Sequence, residues 1–187
     1  SFQRISGDVY PGMDSWYTLE IEKVSDSRAR FTFLNEDPLF DSSVAAVYFY
    51  DGVLDSLADT SATGSVNFNT SPAHLGGNHL PGFDPLAVPF YSTSAKPREG
   101  DGVNPGESLS LEFDLMAGKT FVDMIDSLEL GGTTDRVPGT LQIGIFVQSL
   151  GDNGDGSAQF VAVPIPGAVL LGVLGLGAAG VRIRRVM

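Results

Sequence analysis

The sequence predicts a mainly β protein, a jelly-roll-like antiparallel β-sandwich with one short helix, followed by a C-terminal apolar helix of transmembrane type. Three observations point there. The 187 residues hold 12 Phe and 5 Tyr beside 23 Gly and 11 Pro, a mixture that suits strands joined by turns better than a helix bundle. Several stretches alternate apolar and polar residues with period 2. Near the end, alternation gives way to an uninterrupted apolar run closed by arginines.

Tyr17, Leu19 and Ile21 alternate with Thr18, Glu20 and Glu22. After Ser25-Asp26-Ser27, Ala29, Phe31 and Phe33 alternate with Arg28, Arg30 and Thr32. Two such runs with a short polar joint predict an antiparallel hairpin. Val44 to Tyr50 is apolar on both faces and reads as a central, doubly covered strand ended by Asp51-Gly52. Between Asp51 and Gly106 the alternation weakens. Val66 and Phe68 mark a short strand, while Pro72, Pro81, Pro85, Pro89, Pro97 and Pro105 oppose long ladders, so a looped region with aromatic plugs at Phe83, Phe90 and Tyr91 is expected. Leu109, Leu111, Phe113 and Leu115 then point inward from a strand over 108–115. From Thr120 to Leu130 the period becomes helical, with Phe121, Met124, Ile125 and Leu128 on one face, Thr120 as cap and Gly131-Gly132 as stop. Leu141 to Val147 and Gln159 to Val163 complete the expected strands, seven or eight in all, with no fixed-period repeat.

Charge narrows the function classes. Eleven basic and 23 acidic residues give a net charge of -12, and three of the basic residues, Arg182, Arg184 and Arg185, follow Val163 while no acid does. The body therefore carries 8 basic against 23 acidic residues, a net of -15. Such a field repels nucleic acid and anionic headgroups. It suits a solvated exported surface, and it also suits calcium or a cationic partner. No cysteine is present, which removes disulfides, thiolate nucleophiles and thiolate metal sites together. Ser1 opens the sequence without a basic-then-apolar leader, and removal of a signal peptide is expected.

The last 25 residues say most. Val163-Pro164-Ile165-Pro166 cannot be helix interior, because both prolines lack a donor and bias the residues before them to extended geometry. Gly167 to Val181 has no polar side chain, and Arg182, Arg184 and Arg185 follow. Fifteen helical residues rise about 22 Å, short of the roughly 30 Å hydrocarbon core. Snorkelling arginines or inclusion of residues 163–166 narrow that gap. The arginines belong on the cytoplasmic side by the positive-inside rule, with the body outside. The division expected is an acidic ectodomain over 1–162 and a sorting or anchor tail over 163–187.

This tail resembles the PEP-CTERM sorting signal: a Val-Pro-x-Pro motif (Val163, Pro164, Ile165, Pro166), a Gly/Leu-rich apolar segment and a terminal arginine cluster (Arg182, Arg184, Arg185). Ile165 stands where Glu is commonest and Gly167 where Ala is usual. The body is similar as well, in Phe31-Thr32-Phe33-Leu34-Asn35, Val47-Tyr48-Phe49-Tyr50-Asp51-Gly52, Gly102-Val103-Asn104-Pro105-Gly106-Glu107-Ser108-Leu109 and Ile143-Gly144-Ile145-Phe146-Val147-Gln148-Ser149. The resemblance implies an exported protein of a Gram-negative cell envelope or extracellular (biofilm) matrix. Its tail would first sit in the inner membrane and be read by an exosortase, an intramembrane transpeptidase-like enzyme. It carries no enzymatic activity over to the body.

Candidate chemistry is sparse. His74 and His79, five residues apart in a Gly-containing loop, could share a metal with Asp84, although loop histidines are more often solvated or capping groups. Asp152 and Asp155 lie in Gly151-Asp152-Asn153-Gly154-Asp155-Gly156, where positions three and five from Asp152 fall on glycines. An EF-hand loop is thereby excluded, leaving a bare turn or a non-EF calcium site. No nucleophile elbow and no phosphate loop occurs. The expectation is a non-enzymatic surface or matrix protein without a cofactor. The alternatives are a polysaccharide-binding module and a self-assembling layer or filament subunit with the tail in the contact.

Overall fold

The computed structural model describes residues 1–50, 52–68, 80, 91–95, 99–132, 135 and 137–163. The fold is mainly β, two antiparallel sheets and one helix. Nine strands are described: β1 (Phe2–Gly7), β2 (Tyr17–Ser25), β3 (Arg28–Asn35), β4 (Ser43–Tyr50), β5 (Leu54–Ala62), β6 (Tyr91–Ser94), β7 (Ser108–Leu115), β8 (Gln142–Leu150) and β9 (Gly156–Ala162). Helix α1 (Phe121–Gly131) joins β7 to β8. One sheet runs β1-β9-β8-β4-β6 and the other β2-β3-β7-β5. From β3 to β8 each successive strand changes sheet, so every connection in that stretch links one sheet to the other.

The layers face each other across an aromatic core. Phe31, Phe33 and Phe113 from the four-stranded sheet surround Phe49 of β4, with ring centroids at 5.2, 6.0 and 4.8 Å. Tyr17 meets Phe160 at 5.0 Å, and Tyr91 meets Phe113 at 5.1 Å. Edge-on and tilted contacts at these separations match the ring quadrupoles. The outer faces differ. On the four-stranded sheet Arg28 opposes Asp114 and Arg30 opposes Glu112 in the β3–β7 register, with Nε to carboxylate distances of 2.8 Å for both pairs. On the five-stranded sheet Tyr48, Tyr50, Ala46 and Val161 form a second apolar cluster with Leu80, whose backbone N–H donates to the Tyr50 hydroxyl at 2.8 Å.

That second cluster explains why all eight residues of β4 are buried, as the apolar run Val44–Tyr50 predicts. The β2–β3 hairpin pairs as expected, Leu19 with Phe33 and Ile21 with Phe31. The inward set Leu109, Leu111, Phe113 and Leu115 is buried, and so are Leu141, Ile143, Ile145 and Val147. Thr120 caps α1 through a full capping box, its hydroxyl accepting from Asp123 N and Asp123 accepting from Thr120 N.

Three expectations need correction. The stretch from Asp51 to Gly106 contains β5 and β6, and Tyr91 begins a strand where a loop plug was expected. Strand β5 was illegible because two register shifts, between Leu54 and Ser56 and between Leu57 and Asp59, destroy its period 2. Val66 and Phe68 make no strand; Phe68 forms a single bridge with Ala95. Strand β1 carries no alternation in Phe2–Gly7, and its pairing with β9 supplies the order that its own side chains do not.

Phe49 is fully buried and touches four aromatic rings. Phe49→Ala is expected to cost about 3–5 kcal/mol, read as a lowered urea midpoint at unchanged slope.

Candidate functional site

The two ends of the sandwich differ in what they present. At one end β9 stops at Ala162, and the next residue, Val163, donates its N–H to Ser1 O at 2.9 Å while accepting from the Ser1 hydroxyl at 3.1 Å. Val163 is thus the last described residue and the first of the predicted sorting motif. Pro164, Ile165 and Pro166, the apolar run 167–181 and Arg182, Arg184 and Arg185 lie outside the described residues. Among the described residues no helix is long and apolar enough to cross a membrane. Helix α1 sits at this same end: Phe121 N–H donates to Asp26 O at 3.0 Å in the β2–β3 turn, and the Gln142 amide donates to Gly131 O at 2.7 Å.

The opposite end carries the loops 8–16, 36–42, 99–107 and 151–155. Its anchor is Asn35, which is 1% exposed. The Asn35 amide nitrogen donates to Ser42 O at 2.8 Å and to Val103 O at 3.0 Å, and its oxygen accepts from Asp37 N at 3.0 Å. Buried polar groups persist when satisfied in this way. Tyr17 donates to the Ser42 hydroxyl at 3.0 Å. Burial pushes the Tyr17 phenol well above its ordinary range, against the pull of that hydrogen bond, and the nearby Asp37 charge adds to the rise. The phenol therefore stays a donor. Asp37 turns the chain by accepting from Leu39 N and Phe40 N through Oδ1 at 2.8 and 3.0 Å, while its buried Oδ2 has no partner. Phe40 packs its ring against Tyr10 and Trp16, at 4.9 and 5.8 Å.

A second polar knot ties the same end. Glu107 Oε1 accepts from Ser65 N at 2.7 Å, and Oε2 accepts from Asn104 N at 3.1 Å and from the Asn104 amide at 2.8 Å. Gly64, at φ +65°, is required there, because a Cβ would lie 1.9 Å from the Glu107 carboxylate. Sequence reasoning singled out neither Asp37 nor Glu107 as a site residue. The available signals were the Asn-x-Asp spacing of Asn35 and Asp37 and the Glu three residues after Asn104 across Pro105-Gly106.

The predicted calcium pair lies in the turn between β8 and β9. Asp152 and Asp155 are both exposed there, and Gly154 N–H donates to Gly151 O at 3.0 Å. Asp8 accepts from Ser157 N at 2.9 Å at the start of β9. Among the described residues no group of three or more His, Cys, Asp or Glu is disposed to hold a metal ion. His74, His79 and Asp84 lie outside the described residues. Every described Phe, Tyr and Trp is buried or half-buried, so the described surface offers no exposed ring on which a sugar could stack. Apart from Asp37 Oδ2, the described polar groups of these two knots are tied into hydrogen bonds that hold the loops together.

Two outcomes follow for this end. Partial burial of Glu107 raises its pKa, but the hydrogen bonds from Ser65 and Asn104 outweigh that and leave it below the ordinary 4.5. Its folded-state pKa is depressed, so its contribution to stability is present above about pH 4.5 and fades as the pH falls through the lower folded value. Glu107→Gln is expected to lower the urea midpoint at pH 7 and to converge on the parent protein in acid. A calcium site saturated at a hundred times its Kd would add about 2.7 kcal/mol. Millimolar calcium is expected to leave Tm unchanged relative to magnesium, since Asp152 and Asp155 lack a third acidic ligand among the described residues.

Comparison with known proteins finds no matching family model, no matching curated protein and no matching solved structure.

Proposed function

We propose that this chain is an exported bacterial cell-surface or extracellular-matrix protein of structural rather than catalytic role, sorted through its C-terminal tail. The observation that carries the reading is the composition of residues 163–187: Val163-Pro164-Ile165-Pro166, fifteen residues without a polar side chain, then Arg182, Arg184 and Arg185. A charge-free run closed by basic residues suits insertion with the arginines on the cytoplasmic side, and the Pro-bounded motif suits a site read by an exosortase-like processing enzyme. The apolar run is read as a helix, because a segment inside the bilayer must satisfy its own backbone groups. The end of β9 at Ala162, one residue before the motif, supports a division between body and tail at that point.

The body is read as a jelly-roll derivative. Strands β3 to β8 alternate between sheets as jelly-roll strands do, with β8-β4-β6 and β3-β7-β5 as the two half-sheets. The β2–β3 and β8–β9 hairpins are departures from that scheme. Hydrogen-bonded polar knots and a closed aromatic core suit a rigid display module that must persist outside the cell.

The test is deletion of residues 163–187 in a host that holds an exosortase, followed by cell fractionation and intact-mass measurement. The full chain is expected first in the inner membrane and then as a processed form ending near residues 163–166. The deletion is expected to release the body to the medium. Envelope retention identical to that of the full chain would overturn the reading.

A further inference from the structure

Six large apolar side chains are exposed among the described residues: Val9, Val24, Leu39, Met116, Val122 and Leu130. Scattered singly, such residues would need no explanation. Four of them gather at one end. Val24 ends β2, Met116 follows β7, and Val122 and Leu130 stand near the two ends of α1, with exposures of 41, 42, 65 and 69%. Their segments are tied together by hydrogen bonds from Leu115 N to Ser27 O at 2.9 Å, Met116 N to Val53 O at 2.8 Å and Phe121 N to Asp26 O at 3.0 Å. The far end of α1 is held to β8 through Gln142. Strand β9 runs antiparallel to β8 with Val161 opposite Gly144, so Val163 leaves the sheet at the end where Gln142 grips the helix.

Chain length then limits where this end can be. Gly167, where the apolar run starts, lies four residue steps beyond Val163. At about 3.5 Å per residue they span at most about 14 Å. The interfacial layer on one side of a bilayer is itself about 5–8 Å thick, half the difference between roughly 40–45 Å overall and 30 Å of hydrocarbon. With the run inside the hydrocarbon, the Val163 corner stands at most about 6–9 Å beyond the headgroup layer, which keeps this end of the body beside the membrane surface.

We propose that, while the tail occupies the membrane, the α1 end of the body rests on the lipid headgroup surface, with Val122, Leu130, Met116 and Val24 as its contacts. The proposal depends on the reading of residues 167–181 as a membrane segment. Among the described residues the charged groups at this end are Lys23, Arg28 and Lys119 against Asp26, Asp55, Asp114, Asp123, Asp126, Glu129 and Asp135. Lys23 is paired with Asp26 and Arg28 with Asp114. Lys119 then stands against five acids, three of them on α1, which fits a zwitterionic surface better than an anionic one. Seated so, the body holds the Val163–Pro166 motif at the membrane surface, within reach of a membrane-embedded enzyme, and turns the loops bearing Asp37, Asp152 and Asp155 outward.

The absence of cysteine makes the test direct, because a single introduced thiol takes a label at one place only. The full chain carrying Val122→Cys, Leu130→Cys or, at the opposite end, Leu39→Cys is labelled with an environment-sensitive fluorophore and reconstituted into phosphatidylcholine vesicles. All three positions are exposed, so labelling leaves the core intact. Flotation reports tail insertion, and quenching by brominated lipid reports contact of each label. Labels at 122 and 130 are expected to be quenched several-fold more strongly than the label at 39. A chain that floats with all three labels quenched alike overturns the seating and leaves the anchor reading standing. A chain that does not float overturns the anchor reading and this inference with it.

Discussion

The buried amide of Asn35 is the constraint on which the architecture turns. It sits where β3 ends, and its donors reach Ser42 O, just before β4 begins, and Val103 O, in the loop that leads to β7. Around it Gly106 N donates to Asn35 O at 2.8 Å, so backbone and side chain together clamp three segments distant in sequence. Those segments make two of the crossings between sheets. An amide lost from this position would remove the side-chain partners of Ser42 O and Asp37 N, each at about 1–3 kcal/mol, while Val103 O would keep Val44 N at 3.0 Å. A hydrophobic replacement could fill the volume but could not choose which loops meet.

Around that clamp the two sheets are stabilised by different means. The four-stranded sheet has one apolar face, so its outer surface can hold Arg28–Asp114 and Arg30–Glu112 directly opposite each other. The partly exposed Arg28–Asp114 pair contributes about 1 kcal/mol or less, whereas Glu112 is nearly buried beneath Arg30 and depends on it for its hydrogen bonds. The five-stranded sheet is apolar on both faces at β4, and Leu80 covers Tyr48 and Tyr50 on the outer one. Gly144 belongs to that covering: a Cβ there would lie 2.4 Å from Leu80 Cδ2, and its hydrogen lets the side chain lie against the sheet. A strand loaded on both faces resists local opening, which explains why the aromatic core centres on β4.

The polarity of the sandwich bears on its proposed role. Ser1 and Val163 are bonded at one end, with α1 close by, while the loops held by Asn35, Asp37 and Glu107 occupy the other. A tail leaving beside α1 points the loop end away from whatever holds the tail. The net charge of -15 belongs to the body as a whole, so its long-range field favours cations over anions.

Much of the fold was legible because period 2 survives wherever a strand has one buried face and an unbroken register. The β3–β7 ladder meets that condition throughout and the β2–β3 hairpin up to Lys23, while Leu141 to Val147 alternates in sequence even though Gln142 and Gly144 between them are also buried. Helix α1 was legible from its 3.6 period and the Thr120 cap. The lack of polar side chains over 167–181 is a matter of composition alone. Strands β5 and β1 were not legible, because bulges break the alternation of one and the other takes its order from β9. Asn35, Asp37 and Glu107 were equally hidden: an Asn or Glu in a loop reads as solvated until its partners arrive from residues such as Val103 and Ser65, about 68 and 42 positions away. Local periodicity and composition are properties of the chain itself, so the sequence alone determined the β class and the helix. Which strands share a sheet, which polar groups are buried and which end the tail leaves depend on contacts between distant segments, and only the tertiary structure decided them.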